Sequence, residues 1–176
     1  MAPEAYVVDT NVPVVANRQS PQASAACVHA SIEMLERVRA GLTVIDHSRL
    51  ILQEYRRNLH LSGQPGAGDA FFKWLWDRQD NSQHCQQVRI TPREPDSEVD
   101  FAEFPDDPEL AGFDPDDRKF VAVARASANR PEVLNAVDSD WWLFRLPLQR
   151  HGVRVRFLCP DQPFLRQQEN GVTTKS

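Results

Sequence analysis

Asp9 closes the apolar run Ala5-Tyr6-Val7-Val8 and is followed by Thr10 and Asn11. Four further acids, Glu54, Asp117, Asp138 and Asp140, recur where a three-layer α/β/α fold with a central, mostly parallel sheet would gather them. Carboxylates that converge in this way are a ligand set for a hard divalent cation, Mg²⁺ or Mn²⁺, because oxygen donors suit those ions and zinc favours His and Cys. Two such cations held by four or five carboxylates would activate a water and stabilise the leaving oxygen of a phosphodiester in an in-line displacement. Thr10 and Asn11 are placed to orient Asp9, the water or a phosphate.

The elements that position these acids can be read from apolar periodicity and from Gly and Pro. Ala5 to Val8 is a short buried strand. Ser20-Pro21 reads as an N-cap with proline in the first turn of a helix running to about Arg39 and closed by Gly41. Leu42 to Ile45 is a second strand. Asp46 or Ser48 caps the next helix, on which Leu50, Ile51, Tyr55 and Leu59 form the apolar stripe. Phe71, Phe72, Leu75 and Trp76 place another helix at Asp69 to Arg78, and Val88 to Thr91 is expected as a strand. Pro92 to Gly112 is acidic, punctuated by proline and expected as a long surface loop. Asp114-Pro115 caps a helix that runs to about Ala128. A strand at Val133 to Val137, a helix from Ser139 bent or ended near Pro147, and a strand at Val153 to Leu158 complete the alternation, which implies a parallel sheet.

In such sheets ligands sit beyond the carboxyl ends of the strands, and Asp9 and Asp138 each follow a strand directly. Glu54 lies on the apolar stripe of its helix, beside Tyr55. Asp117 has Phe113, Phe120 and Val121 at −4, +3 and +4, which puts it on the buried face of its first turn. Burying unpaired carboxylates costs several kcal/mol each, so the cluster calls for metal or basic partners. Taken singly, Asp9 reads equally well as a turn residue, Asp117 as a first-turn acid favoured by the helix dipole, and Asp138 as the N-cap before Trp141. Asp116 faces Lys119 and Phe120 one turn on and reads as solvated, or as supporting a ligand.

The chain has 176 residues, 41% of them hydrophobic, and suits one globular domain. We expect residues 1–162 to form that domain, with a helix and acidic loop inserted at about 63–112 and a polar tail over 163–176. Net charge is −5, yet Glu94 to Asp117 carries eleven acids and no Lys or Arg, which leaves +6 for the rest. A mildly basic body is compatible with a polyanionic partner. Arg18, Arg49, Arg56, Arg57, Lys119 and Arg125 are the candidate phosphate contacts. Cys27, Cys85 and Cys159 are widely spaced and lack a CxxC or Cys/His pattern, so they are expected as reduced thiols of a cytoplasmic protein. The histidines, His29, His47, His60, His84 and His151, show no metal spacing. No stretch approaches the roughly 20 apolar residues that span a bilayer, and no export signal is recognisable at the N-terminus.

These residues resemble the PIN-domain family of metal-dependent nucleases, which includes the ribonuclease toxins of bacterial type II toxin-antitoxin pairs. Tyr6-Val7-Val8-Asp9-Thr10-Asn11 is similar to the family's opening strand and first acid, Leu52-Gln53-Glu54-Tyr55 to its helical glutamate, and Asp117 to Ala122 to its third acid and apolar helix. Asn135 to Trp141 is similar to the Asp-x-Asp-aromatic segment, and Gly152 to Pro160 to the closing strand. The resemblance implies a PIN-like fold and an endoribonuclease that cuts single-stranded or structured RNA, leaving a 5′-phosphate and a 3′-hydroxyl. It implies Asp9, Glu54, Asp117 and Asp138 as catalytic metal ligands, Asp140 as a fifth ligand or outer group, and Thr10, Asn11 and Asp116 as supports. An antitoxin protein and a homodimer are the partners it suggests, with Trp74, Trp76, Trp141 and Trp142 available to an interface, although core packing is their default. The chain departs from the family in the length of residues 63–112 and in Ala136, where Thr or Ser is usual.

The alternative is a non-catalytic PIN-like module that recruits a protein or RNA. A phosphatase with an aspartyl nucleophile would need a second Asp where Asn11 stands. A nucleotide-binding protein would need GxGxxG or GxxxxGK[ST], and neither occurs.

Overall fold

A computed structural model describes residues 2–166. Its centre is a five-stranded, all-parallel sheet in the order β3-β2-β1-β4-β5, formed by β1 (Ala5–Val8), β2 (Leu42–Asp46), β3 (Cys85–Val88), β4 (Glu132–Asn135) and β5 (Arg154–Phe157). β1 and β2 are buried along their whole length, as expected of inner strands covered on both faces. The connections are helical: α1 (Asn11–Ala16) and α2 (Ala25–Ala40) precede β2, α3 (Leu50–Asn58) and α4 (Ala67–Arg78) precede β3, α5 (Arg118–Ala126) precedes β4, and α6 (Ser139–Leu143) and α7 (Arg145–Arg150) precede β5. The chain moves outward from β1 through β2 to β3, then returns across to β4 and β5. Right-handed crossovers therefore place the two helix sets on opposite faces, giving three α/β/α layers.

Several local choices explain these elements. Asp46, fully buried at the end of β2, accepts hydrogen bonds from the amides of Leu50 (2.7 Å) and Ile51 (2.9 Å) and so starts α3. α2 begins later than expected: Ser24, not Ser20, caps it through the Cys27 amide. The residues before it include the short α1, in which Pro13 falls among first-turn positions that need no intrahelical donor. α4 lies tightly on α1, since a β-carbon on Gly68 would sit 1.9 Å from the Pro13 carbonyl oxygen. Asn17 and Asp69 lock this contact by reciprocal hydrogen bonds of 2.9 and 3.0 Å. Burial alone would push Asp69 up. The amides of His60 and Gly66 and the Asn17 side chain outweigh it and hold Asp69 below the usual carboxylate range.

Four expectations are corrected. Residues 63–112 supply α4 and the edge strand β3, which lies at Cys85–Val88 and not at Val88–Thr91, because its register is set by pairing with β2. The acidic stretch is not merely a surface loop: Phe101, Phe104, Leu110 and Phe113 within and just beyond it are buried in the core. Cys27 and Cys159 form a disulfide across 132 residues, which overturns the reading of three reduced thiols; Cys85 is free and buried. The helix after Asp138 is broken at Phe144 into α6 and α7. Pro163–Arg166 makes a 3₁₀ turn with Phe164 against Trp142 and Phe157. Those four residues begin the polar tail expected over 163–176; the rest of it, 167–176, lies outside the described residues. Among the described residues no helix is long and apolar enough to cross a membrane.

Candidate functional site

The order of strands reverses between β1 and β4, and in an open α/β sheet that switch point opens a crevice at the carboxyl ends. Asp9 leaves β1 there, its amide donating to the Leu134 carbonyl of β4 at 3.2 Å. Asp138 leaves β4 three residues after Asn135 and caps α6 by accepting the Asp140 amide at 2.9 Å. Glu54 comes from α3, and Asp117 from the turn that starts α5.

Asp9, Asp117 and Asp138 lie within electrostatic reach of one another, and Glu54 within reach of Asp9. Asp9 is almost wholly buried, and burial, opposed by hydrogen bonds but reinforced by the charges of Glu54 and Asp138, pushes it up to about 7. Asp117 is pushed up to about 10, by burial first and then by Asp9, Asp138 and Asp114, and it shares a hydrogen bond with Asp138. Asp140 is raised as well, by burial and by Asp138, while the Asp114 amide donates to it. Crowded carboxylates that repel one another in a desolvated crevice gain from a cation.

Neutral donors fix the acids in place. Asp9 Oδ1 accepts the Asn11 amide (2.9 Å) and the Asn11 side chain (2.7 Å), and Oδ2 accepts Trp141 Nε1 (2.9 Å). Asn11 also donates to Asn135 Oδ1 at 2.8 Å, while its Oδ1 takes the amides of Ala136 (2.8 Å) and Val137 (3.3 Å). The fully buried Asn135 binds the backbone of Asp138 through both ends of its amide, at 2.9 and 3.2 Å. The hydroxyl of Tyr55 donates to the Val8 carbonyl at the end of β1. Sequence reasoning assigned Asn135 no role, placed Tyr55 only on the apolar stripe of its helix, and offered Trp141 only to the core or an interface. An amide at the last position of a strand, with another just beyond the end of the neighbouring strand, was the available signal for Asn135.

Glu54 differs from the other acids. One oxygen accepts the Thr10 hydroxyl and the other pairs with Lys119 Nζ at 2.8 Å, with both side chains largely buried. Lys119 also donates to the Asp116 carbonyl, so it is an internal counter-ion more than a free phosphate contact. Asp116 itself is exposed. Arg57 borders a small groove with Glu54, Asp116, Lys119 and Glu98. Arg49 is exposed at the start of α3, and Arg56 lies over the Trp76 ring at 5.9 Å. Arg18 lies in a separate depression with Ser20 and Val28, and Arg125 at the far end of α5 binds the Glu103 carbonyl at 2.6 Å. The structure thus groups Arg57 and Lys119 with the acids and leaves Arg18 and Arg125 elsewhere.

The donor set is carboxylate oxygen supported by Asn, Thr and Trp, which fits Mg²⁺ or Mn²⁺ by its chemistry. As the side chains stand, no group of three Asp, Glu, His or Cys among the described residues is arranged to hold a metal ion. The raised Asp9 and Asp117, which take up protons more readily than free acids, and the Lys119 pair on Glu54 reduce the repulsion among acids packed in this arrangement. Comparison with protein-family profiles, curated proteins and solved structures returned no match.

Proposed function

We propose that this protein is a PIN-like, Mg²⁺- or Mn²⁺-dependent endoribonuclease. The observation that carries the reading is the meeting of Asp9, Glu54, Asp117 and Asp138 at the β1/β4 switch point, with Asp9 and Asp117 both driven toward protonation by burial and then by their neighbours' charges. The motif order described above supports the same reading. Asp9, Asp117 and Asp138, with Glu54 and Asp140 beside them, would hold the metal, which when bound makes a water more acidic and offsets charge on the phosphate oxygens.

The remaining steps belong to the chain. Asn11 and Trp141 fix both oxygens of Asp9, so the carboxylate cannot rotate away from the crevice. Asn135 sets the turn that presents Asp138. Arg57 borders the groove through which a phosphodiester would enter, beside the Lys119–Glu54 pair, and its charge offsets that of the incoming phosphate. In the reaction a water oxygen bonds to phosphorus as the bond to the 3′ oxygen breaks, leaving a 5′-phosphate and a 3′-hydroxyl.

Cleavage of a mixed single-stranded RNA pool and matched DNA, with Mg²⁺, Mn²⁺ or EDTA, tests this. Wild type should cut RNA only with metal. Asp9→Asn and Asp138→Asn should lose on the order of a hundredfold or more in rate while melting as folded proteins. Retained turnover in both variants would falsify the assignment.

One observation favours a second reading. The Lys119 ammonium already balances Glu54, as in a non-catalytic PIN-like module whose acids need no metal. Calorimetric titration with Mn²⁺ separates the two: heat lost in Asp9→Asn supports the enzyme, and no heat in wild type supports the module.

A further inference from the structure

At the opposite end of the sheet, the loops that enter β4 and β5 and the last turn of α5 enclose a cleft of about 830 Å³. Arg125, Arg130 and Arg154 line it, together with His151, Ser127 and Gln149. All three arginines are exposed, and none lies within ion-pairing distance of a carboxylate among the described residues. The nearby acids are engaged elsewhere: Asp107 with His151 at 2.9 Å, Glu109 with Arg150, Glu132 with Arg156 at 2.7 Å, and Glu103 with Thr91. Two of the arginines are held in position through the backbone, Arg154 donating to the Arg130 carbonyl at 2.8 Å and Arg125 to that of Glu103 at 2.6 Å. The chain therefore gathers three positive charges around one concavity without neutralising them.

We infer that this cleft is a second, non-catalytic anchoring site for the phosphodiester backbone of single-stranded RNA. Guanidinium forks match phosphate oxygens, and their remaining N–H groups are available. The rest of the lining is small or polar, Ala124, Ala128 and Gly152 among it. Such walls offer no Phe, Tyr or Trp face for a base and no apolar pocket for a peptide side chain, and the one ring present, His151, is tied to Asp107 at 2.9 Å, so contact is through charge and is independent of sequence. α5 links the two sites, Asp117 at its start and Arg125 near its end, about 12 Å apart along the axis at 1.5 Å per residue. One extended strand can reach both. The inference rests on the proposed reading for its choice of RNA.

Anisotropy of a fluorescein-labelled single-stranded 20-nucleotide RNA in EDTA measures binding apart from cleavage. Arg130→Gln combined with Arg154→Gln should weaken binding about tenfold and flatten the logarithmic salt dependence by about 1.4, as for two lost phosphate contacts. A charge-matched control, Arg37→Gln with Lys73→Gln, two exposed cations that pair with Glu4 and Asp77 away from either site, should change affinity less than twofold. Arg125→Gln alone, with a slope change about half as large, gives the same information if the double variant fails to melt cooperatively. Unchanged binding in folded cleft variants, or an equal loss in the control, overturns the site. Displacement of the RNA by polyglutamate or tripolyphosphate at matched charge overturns the choice of RNA. The two readings fail separately: intact cleavage with unaltered binding removes only the cleft, and RNA binding with no metal-dependent cutting removes only the nuclease.

Discussion

Asp9 and Asp117 are acids whose folded environment favours the protonated form, and this gives stability a pH dependence of known sign. Both are raised, Asp9 to about 7 and Asp117 to about 10, from ordinary values near 4. A raised acid contributes stability that is fully present below its unfolded value and is lost as pH climbs through the folded one. From Asp9 alone the protein in EDTA should therefore lose on the order of 2–3 kcal/mol between pH 5 and pH 8, roughly 5–10 °C in melting temperature for a domain of this size, and Asp117 adds to the decline. Asp117→Asn should flatten the decline, and Mn²⁺ should restore the melting temperature at pH 8 but not at pH 5, where protons compete for the same oxygens. A melting temperature independent of pH would mean that the acids do not repel one another. Lys119 explains why Glu54 stands apart: breaking a largely buried pair strands a charge, whereas the pair itself adds little.

Among the elements, the acidic stretch shows where sequence reasoning reaches and where it stops. Eleven acids and repeated prolines indicate a loop, and the chain there is irregular, but Phe101, Phe104, Leu110 and Phe113 follow neither a 2-residue nor a 3.6-residue period, so nothing marked them as core. Arg118 fastens the stretch by lying over the Phe104 ring at 4.8 Å and reaching the Ala111 carbonyl at 3.2 Å. Phe113 meets Trp141 edge-on with ring centres 5.0 Å apart, and Trp141 in turn holds Asp9. The loop thus supports the site from behind. Phe113→Ala should cost about 3–4 kcal/mol in urea unfolding, as for a buried aromatic, against under about 1 kcal/mol for a surface loop residue. The inner strands, the long helices and the order of the acids were legible because they rest on local periodicity and turn chemistry. α1 was not, since its six residues contain a proline and show too short a pattern. Nor was β3, whose Cys-Gln-Gln-Val has little strand preference of its own and is held by β2. The Asn11–Asn135 contact and the Lys119–Glu54 pair join residues more than 60 apart in sequence, and no local pattern announces them.

Across the whole molecule, the bond between Cys27 and Cys159 joins α2 to the segment leaving β5, the strand at one edge of the sheet. Spacing could not reveal it: the three cysteines form no motif, and only the parallel order that carries β5 to the edge near α2 brings two of them to 4.6 Å between α-carbons. Gln162 reinforces the same junction by donating to the Gln22 carbonyl at 3.2 Å. A crosslink that closes a loop of this length restricts the unfolded chain strongly, so reduction should cost about 4 kcal/mol, subject to whatever structure the reduced chain keeps. Both sulfurs are fully buried, so a reductant must wait for the protein to open. Thiol titration in denaturant is the direct check. Without reductant the unfolded protein should expose one reactive thiol, Cys85, and after reduction three; three thiols before reduction would show that the bond does not form. The acid crevice lies one strand in from this junction: Leu158, beside Cys159, donates to the Asn135 carbonyl at 2.9 Å, while β4 is also held by its pairing with β1. Reduction should therefore lower the melting temperature of the oxidised form by roughly 10 °C while leaving the proposed metal-dependent cleavage at lower temperature unchanged. Loss of cleavage in step with thiol appearance, below the melting range, would instead tie the crevice to the staple.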